Sequence, residues 1–249
     1  MVYVTGDTHT EWIKRLHMES FPEQKELSKD DYVIVCGDFG IWEESKREKY
    51  NLDWLESRNF TTLFVAGNHD NYDILDSLPV SDWHGGKVNY LCPSVIHLMR
   101  GQCYLIDGHT FFTFGGARSR DIEDGILEPD DPDFKSKKRE LDERYARYRI
   151  NHRTWWEREL PSEEEMRIGW DALKRHDYSV DYIITHAPST VMQRCIDADG
   201  YKPDYLTDYL DEVRERTQYK HWYFGHMHVN QMLDGYNATC LYEQIERIV

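Results

Sequence analysis

Polar side chains that can bind metal ions follow five short apolar segments of the chain. The sequence letters are G-D-T-H at 6–9, G-D at 37–38, G-N-H-D at 67–70, a single His at 186 and G-H-M-H at 225–228. Carboxylate and amide oxygens mixed with imidazole nitrogens suit Mn²⁺, Fe or Zn²⁺, whereas Ca²⁺ prefers oxygen ligands alone. These blocks therefore predict a site for two metal ions. The candidate ligands are Asp7, His9, Asp38, Asn68, His186, His226 and His228.

The spacing within the blocks favours convergence of these side chains. The pairs Asp7/His9 and His226/His228 are two residues apart, which places both members on one side of an extended segment. Asp38 stands alone in its block and is the natural candidate for a carboxylate that bridges both ions. Four of the five blocks begin with Gly, which allows the backbone to turn sharply.

The apolar segments before the blocks are predicted to be buried β-strands. They span residues 2–5, 32–36, 62–66, 182–185 and 222–224. They are nearly continuous rather than alternating, as is typical of strands buried on both faces. Helical patterns at 11–21 and 43–57 alternate with the early strands and predict an α/β fold. Since residues beyond the carboxyl ends of such strands meet at one edge, the five blocks are expected to converge.

Two tight turns predict further strands and thus a second sheet. Asp107-Gly108 lies between apolar runs and favours a β-hairpin, and Asp234-Gly235 near the end of the chain does the same. The expected architecture is two packed sheets with helices outside.

Residues 118–160 differ in composition from the rest of the chain. The segment begins as an acidic loop with Pro and Gly, and continues into a helical pattern. Apolar residues at i, i+4 and i+7 define that pattern, namely Leu141, Tyr145 and Tyr148. We expect one domain over 1–249 that carries this loop-and-helix insertion.

The end of the insertion contains two adjacent tryptophans. Trp155 and Trp156 are predicted to form the apolar face of the inserted helix, with stacking on a substrate base as the alternative. Ser162 and Glu165 then form a capping-box pattern that predicts the start of the next helix.

Composition and charge restrict the function classes. The chain has 249 residues, with 30 basic and 46 acidic side chains, for a net charge of −16. Long nucleic acids are therefore not expected as partners, although bound metal ions reverse the local field in a site. No apolar run approaches the roughly 20 residues that cross a bilayer, and no basic stretch leads into an apolar one at the start. The five cysteines contain no C-x-x-C pair, so we expect a cytoplasmic protein without disulfides.

The five blocks resemble the signature of the calcineurin-like metallophosphoesterases. That signature runs D-x-H, G-D, G-N-H-[DE], an isolated H and G-H-x-H, and all five parts occur here in order. The resemblance implies a four-layer α-β-β-α sandwich. It assigns one metal to Asp7, His9, Asp38 and His228, and the second metal to Asp38, Asn68, His186 and His226. It also implies that His69 acts as an acid near the leaving group, oriented by Asp70.

The chain departs from one branch of that family. Protein Ser/Thr phosphatases carry an Arg shortly after the second block, in the pattern G-D-x-x-D-R-G, whereas this chain reads G-D-F-G-I-W at 37–42. Arg118 and Arg120, which follow a Gly pair at 115–116, are candidates to bind phosphate oxygens instead. The alternative for both is a solvated loop or ion pairs with the acidic tract.

The sequence thus predicts a binuclear phosphoesterase for small phosphomonoesters or phosphodiesters. A hydroxide that bridges two divalent ions would attack phosphorus, with Mn²⁺ as the first choice of metal and Fe or Zn²⁺ as alternatives. Its partner is a small phosphoester, and the oligomeric state is left open. The rival hypotheses are a catalytically silent binding scaffold, a protein Ser/Thr phosphatase and a binuclear amidohydrolase. A scaffold would lack a ligand or His69, and Asn68 does not suit the amidohydrolase.

Overall fold

A computed structural model describes residues 1–43, 45–197, 200 and 202–249. Within these residues the first sheet has seven strands. In spatial order they are β15 (Ile245–Arg247), β1 (Val2–Thr5), β2 (Tyr32–Val35), β3 (Thr61–Phe64), β6 (Val95–Leu98), β5 (Gly86–Cys92) and β4 (Val80–Trp83). The four central strands, β1, β2, β3 and β6, are parallel, and the outer strands are antiparallel to their neighbours. This sheet confirms the three strands predicted in the first third of the sequence.

The second sheet has six strands in the described part of the chain. In spatial order they are β13 (Gln231–Leu233), β14 (Ala238–Cys240), β12 (His221–Phe224), β11 (Tyr182–Thr185), β8 (His109–Phe114) and β7 (Gln102–Ile106). Strands β14, β12, β11 and β8 are parallel, and the two predicted hairpins, β7–β8 and β13–β14, close its edges. Asp107 and Gly108 both have positive φ, as a two-residue hairpin turn requires.

Seven α-helices are present among the described residues. They are α1 (Trp12–Arg15), α2 (Lys46–Glu56), α3 (Tyr72–Ser77), α4 (Phe134–Glu143), α5 (Glu163–Arg175), α6 (Thr190–Ile196) and α7 (Tyr205–Arg216). Short 3₁₀ segments lie at Pro22–Glu26, Glu157–Glu159 and Asp234–Tyr236. The predicted capping box at Ser162 and Glu165 does begin α5. No described helix is both long and apolar enough to cross a bilayer.

Successive side chains of each strand point to opposite faces of its sheet, and both faces are buried, which creates four layers. In β2, Ile34 packs in a core between the two sheets, which also contains Ile184 of β11. Its neighbours Val33 and Val35 face the other way, toward a core under α1, α2 and α3. A third core lies on the outer face of the second sheet, under α5, α6 and α7. The order of layers is therefore helix, sheet, sheet, helix, which confirms the predicted α-β-β-α sandwich.

Two predicted helices differ from the observed ones. The pattern at 11–21 gives only the four-residue α1, which ends at Arg15 and is followed by turns before Pro22 begins a 3₁₀ segment. In the insertion, α4 ends at Glu143. Tyr145 has φ of 52° and is 93% exposed, so the apolar stripe through Tyr145 to Tyr148 does not exist.

The insertion is attached to the first sheet by a tryptophan rather than by an inserted helix. Trp156 is 1% exposed, packs in the core under α1, α2 and α3, and donates its Nε1 hydrogen to Asp73 of α3 at 2.8 Å. The prediction that Trp155 and Trp156 lie on a helix is wrong, because both residues precede the 3₁₀ segment. Strands β9 (Ile126–Leu127) and β10 (Arg149–Ile150) form a small parallel pair within the insertion.

Candidate metal centre

The predicted ligands meet where the carboxyl ends of both sheets face each other. Asp7, Asp38 and Asn68 follow β1, β2 and β3 of the first sheet. His186 follows β11, and the pair at 226 and 228 follows β12, all from the second sheet. The site is therefore built half from each sheet, as the convergence of parallel strand ends predicts.

Four side chains form a first cluster of donor atoms. One donor atom from each of Asp7, His9, Asp38 and His228 lies within 4.8 Å of the others. His228 Nε2 is 3.1 Å from both His9 Nε2 and Asp7 Oδ2. His9 Nε2 is 3.8 Å from carboxylate oxygens of both Asp7 and Asp38. The geometry suits one metal ion among these four residues.

A second cluster lies on the other side of Asp38. His186 Nε2 is 3.3 Å from Asp38 Oδ1 and 3.2 Å from Asn68 Oδ1, and the ring of His226 is 4.9 Å from the His186 ring. His186 Nδ1 is 2.9 Å from the carbonyl oxygen of Cys36, which orients the ring with Nε2 toward the cluster. Asp38 thus directs Oδ2 toward the first cluster and Oδ1 toward the second, as a bridging carboxylate would.

The electrostatics of both clusters fit divalent cations. Asp7 Oδ2 is buried and accepts no hydrogen bond of good geometry from the described residues. Burial works against a charged His186, yet the Asp38 and Asp7 carboxylates raise its pKa to about 9. Although burial opposes ionisation, His186 also holds the pKa of Asp38 well below its usual range. A protonated imidazole thus offsets two buried carboxylates, a task that metal ions perform in a loaded site.

Glycines let the backbone approach the ligands closely. A Cβ atom on Gly67 would lie 2.1 Å from Asp38 Oδ1, and one on Gly225 would lie 2.1 Å from Asp7 Oδ1. Gly37 is similarly close to the His186 ring. At these three positions the Gly therefore leaves room for a ligand that another block provides.

Four of the seven candidate ligands have a left-handed backbone. Their φ angles are 44° at His9, 44° at Asp38, 65° at His226 and 52° at His228. Such conformations cost about 1–3 kcal/mol each in a non-Gly residue and concentrate at functional sites. The fold holds these side chains at a cost that the two sheets and their loops must offset.

The Asp70 carboxylate binds the main chain of the loop at 39–41 and does not bind the imidazole of His69. Its carboxylate accepts main-chain N–H groups of Phe39, Gly40, Ile41 and Gly67 at 2.6–3.3 Å. Burial and then the charge of Asp38 raise its pKa to about 7. The prediction that Asp70 orients the His69 ring is thus wrong in this structure, because Asp70 instead joins the second block to the third.

His69 is placed beside the first cluster. Its main-chain N–H donates to Asp38 Oδ1 at 2.7 Å, and its ring packs edge-on against His9 at 5.3 Å between ring centroids and against Trp42 at 5.8 Å. Burial lowers the pKa of His69. The side chain lines the cavity that opens over the metal ligands.

That cavity, the metal cavity, has a volume of about 540 Å³. Arg120 lines it together with Asp38, Asn68, His69, His226 and His228, whereas Arg118 lines an adjacent cavity. Arg120 lines both cavities, so the two arginines share the adjacent cavity, and of the two only Arg120 borders the metal ligands. Three further residues of the insertion, Asp121, Glu123 and Arg147, form one wall of the metal cavity. Arg147 had no signal in the sequence, because its position depends on the pairing of β9 with β10.

A hydrogen-bonded chain joins the insertion to a candidate ligand. The Asn68 amide donates to Ser119 Oγ at 3.4 Å, and Ser119 donates its hydroxyl to Glu159 Oε2 at 2.6 Å and its main-chain N–H to Oε1 at 2.8 Å. Glu159 is 2% exposed, and burial raises its pKa to about 7. Neither Ser119 nor Glu159 has a signal in the sequence, since they lie 40 residues apart and match no local motif.

Two solved structures have a fold similar to that of this chain. Its fold is similar to the phosphopantetheinyl hydrolase of Mycobacterium tuberculosis, with 16% identity, a TM-score of 0.46, and coverage of 97% of this chain and 89% of that one. It is also similar to a protein assigned as a 5′-nucleotidase from Staphylococcus aureus in complex with α-ketoglutarate, with 14% identity, a TM-score of 0.44, and coverage of 97% and 48%. Both TM-scores are below 0.5, so neither likeness bears on the chemistry.

No curated protein gives a significant match to the sequence. The sequence model of the calcineurin-like phosphoesterases, in contrast, matches residues 1–230 and so includes all five blocks. The chain belongs to the calcineurin-like phosphoesterase family.

Proposed function

We propose that this protein is a binuclear metal-dependent phosphoesterase that hydrolyses small phosphomonoesters or phosphodiesters. The observation that carries the proposal is Asp38, whose two carboxylate oxygens face two separate ligand clusters. One shared carboxylate between two imidazole-bearing groups is the arrangement that a two-metal hydrolase needs. Family membership supports phosphoester hydrolysis as the reaction class.

The ligand assignment follows the two clusters. Asp7, His9, Asp38 and His228 hold one ion, and Asp38, Asn68, His186 and His226 hold the other. The mixture of oxygen and imidazole ligands supports Mn²⁺, with Fe or Zn²⁺ as alternatives. When bound, such ions polarise phosphoryl oxygens and make water a strong nucleophile near neutral pH.

The residues of this chain have separate roles around the phosphoryl group. His69 lines the metal cavity next to the first cluster and donates a proton or a hydrogen bond to the departing oxygen. The Arg120 guanidinium, which lines the same cavity, binds phosphoryl oxygens. Asp70 keeps the third block in place through the main-chain N–H groups that it accepts.

The wall formed by the insertion favours small substrates over folded phosphoproteins. Glu123 and Arg147 border the metal cavity on that side, and the Arg typical of the protein phosphatase branch has no counterpart at 37–42. The complete set of ligands, with His69, also argues against a silent scaffold. We keep one domain over 1–249 as a prediction. The five unpaired thiols support a reducing compartment such as the cytoplasm.

The test compares the purified protein with Asp38→Asn. We expect two divalent ions per chain by elemental analysis, together with hydrolysis of p-nitrophenyl phosphate or bis-p-nitrophenyl phosphate and no hydrolysis of p-nitroacetanilide. Asp38→Asn should lose both ions and the activity, because each cluster loses its shared ligand. Asp30→Asn, on an exposed acid, is the matched control. A single ion per chain, or an unchanged Asp38→Asn variant, would refute the binuclear assignment.

A further inference from the structure

A second cavity, the side cavity, adjoins the metal cavity and has a volume of about 360 Å³. The two cavities share the lining residues Arg120, Glu123, Gly200 and His226. Cavities of this size accept parts of small ligands. A substrate whose phosphoryl group lies over the metal ligands therefore has room for a second group in the side cavity.

Gln193 is a buried residue whose side-chain amide has no hydrogen-bond partner among the described residues. It lies in α6, is 3% exposed, and lines the side cavity. Its amide makes no hydrogen bond with any residue that the structure describes, although its main-chain N–H donates to Ser189 O. The amide therefore has donor and acceptor capacity left for a polar ligand group in the side cavity.

Arg118 provides a cation at the same cavity. Its guanidinium forms no hydrogen bond or ion pair with the described residues, and its side chain is exposed. Asp204, an acid on the cavity wall whose charge interacts with that of Arg118, also caps α7, where Oδ1 accepts N–H groups of Leu206 and Thr207 at 2.9 and 3.1 Å. The guanidinium therefore keeps its donors for a ligand.

We propose that the side cavity binds a second anionic group of the substrate, with Arg118 as its ion-pair partner and Gln193 as its hydrogen-bond partner. The proposal rests on the phosphoesterase function proposed above and narrows its substrate class. The substrate is a phosphoester that carries a phosphate or carboxylate beyond the scissile group. A guanidinium binds either anion through two parallel N–H donors, so Arg118 accepts both chemistries.

The experiment uses phosphonates, whose C–P bond resists hydrolysis. The Mn²⁺-loaded protein is titrated in a calorimeter with alkylphosphonates of one chain length that end in a hydroxyl, a carboxylate or a second phosphonate. We expect the charged ends to bind about tenfold more tightly than the hydroxyl end, as a hydrogen-bonded ion pair would provide. Whichever charged end binds more tightly identifies the anion.

Variants test the role of the side cavity directly. The measured quantity is the dissociation constant of the hydroxyl-ended phosphonate divided by that of the charged-ended one. Arg118→Ala should reduce this ratio to about one. Arg139→Ala, on an exposed arginine of α4, should retain the ratio of the unmodified protein. Equal binding of charged and hydroxyl ends by the unmodified protein, or a ratio retained in Arg118→Ala, overturns the proposal. Hydrolysis of p-nitrophenyl phosphate is measured on the same samples. Hydrolysis without tighter binding of the charged ends refutes only the side-cavity assignment. Tighter binding of the charged ends without hydrolysis refutes only the phosphoesterase function.

Discussion

His69 has surroundings that favour a neutral imidazole. Burial lowers its pKa, and the carboxylate of Asp38 only partly opposes that effect. A neutral ring still has one N–H to offer a departing oxygen, and the edge-on contacts with His9 and Trp42 limit its rotation. The role that this geometry supports is assistance to the leaving group rather than metal binding.

His69→Ala should therefore discriminate between leaving groups. We expect the variant to keep its metal ions and to lose about 10²–10⁴ in kcat for alkyl phosphates, the usual span for general acid catalysis. The loss should be smaller for p-nitrophenyl phosphate, because p-nitrophenolate departs without a proton. Steady-state kinetics with both substrates measure this difference, with His17→Ala, an exposed histidine, as control. Equal losses for the two substrates would contradict an acid role.

At the scale of elements, the insertion is part of the support of the metal centre. Glu159 binds Ser119, which accepts the amide hydrogen of Asn68. By a second route, Arg100 donates to the carbonyl oxygen of Glu159 and to the hydroxyl of Tyr72, which in turn donates to Gly67 O. The third block is therefore held from both sides by the end of the insertion.

Glu159→Gln should weaken the metal site that contains Asn68. One carboxylate oxygen would become an NH₂ group that faces a Ser119 donor, so the hydrogen-bonded chain would lose an acceptor. Outer-shell changes of this kind typically reduce metal affinity by about 10–100-fold. Calorimetric titration with Mn²⁺ measures the effect, and circular dichroism checks the fold. Glu157→Gln, on an exposed glutamate two residues away, is the control. Equal affinity in both variants would show that the chain does not position Asn68.

The elements that the sequence predicted well are those defined by local patterns. Buried parallel strands such as β2 and β11 are continuous apolar runs, and a hairpin such as β7–β8 needs only Asp107-Gly108 at its turn. The contacts of Asp70, Trp156 and Glu159 depend instead on segments 29 to 83 residues away. No short-range sequence pattern predicts such contacts. The predicted orientation of the His69 ring by Asp70 is therefore wrong, and the Ser119–Glu159 pair has no signal in the sequence.

At the scale of the whole molecule, a buried histidine links stability to pH. His97 of β6 is 8% exposed, and its Nδ1 lies 3.0 Å from Asn89 Oδ1 of β5. Burial, with a smaller contribution from Arg100, lowers its pKa from 6.5 to about 3. The folded protein therefore holds His97 neutral at pH values where the unfolded chain binds a proton.

This residue should make the free energy of unfolding decrease as the pH falls from about 6.5 toward about 3. Below pH 6.5 the unfolded state takes up the proton first, so the contribution of His97 is intact above that pH and is lost on acidification. The expected slope is up to about 1.4 kcal/mol per pH unit. Urea unfolding at several pH values measures it, with His97→Gln as the test variant and His176→Gln as the control. An identical slope in His97→Gln and the unmodified protein would contradict this assignment.

The division of the ligands between the sheets has a consequence for cohesion. Asp7, Asp38 and Asn68 follow strands of the first sheet. His186, His226 and His228 follow strands of the second sheet. Each bound ion would thus cross-link the two sheets. The unfolded chain does not hold these ligands together, so the ion would bind the folded state alone. Occupancy at 100 times the dissociation constant would add about 2.7 kcal/mol to the free energy of unfolding per site. The ions that supply reactivity would then also fasten the two halves of the fold together.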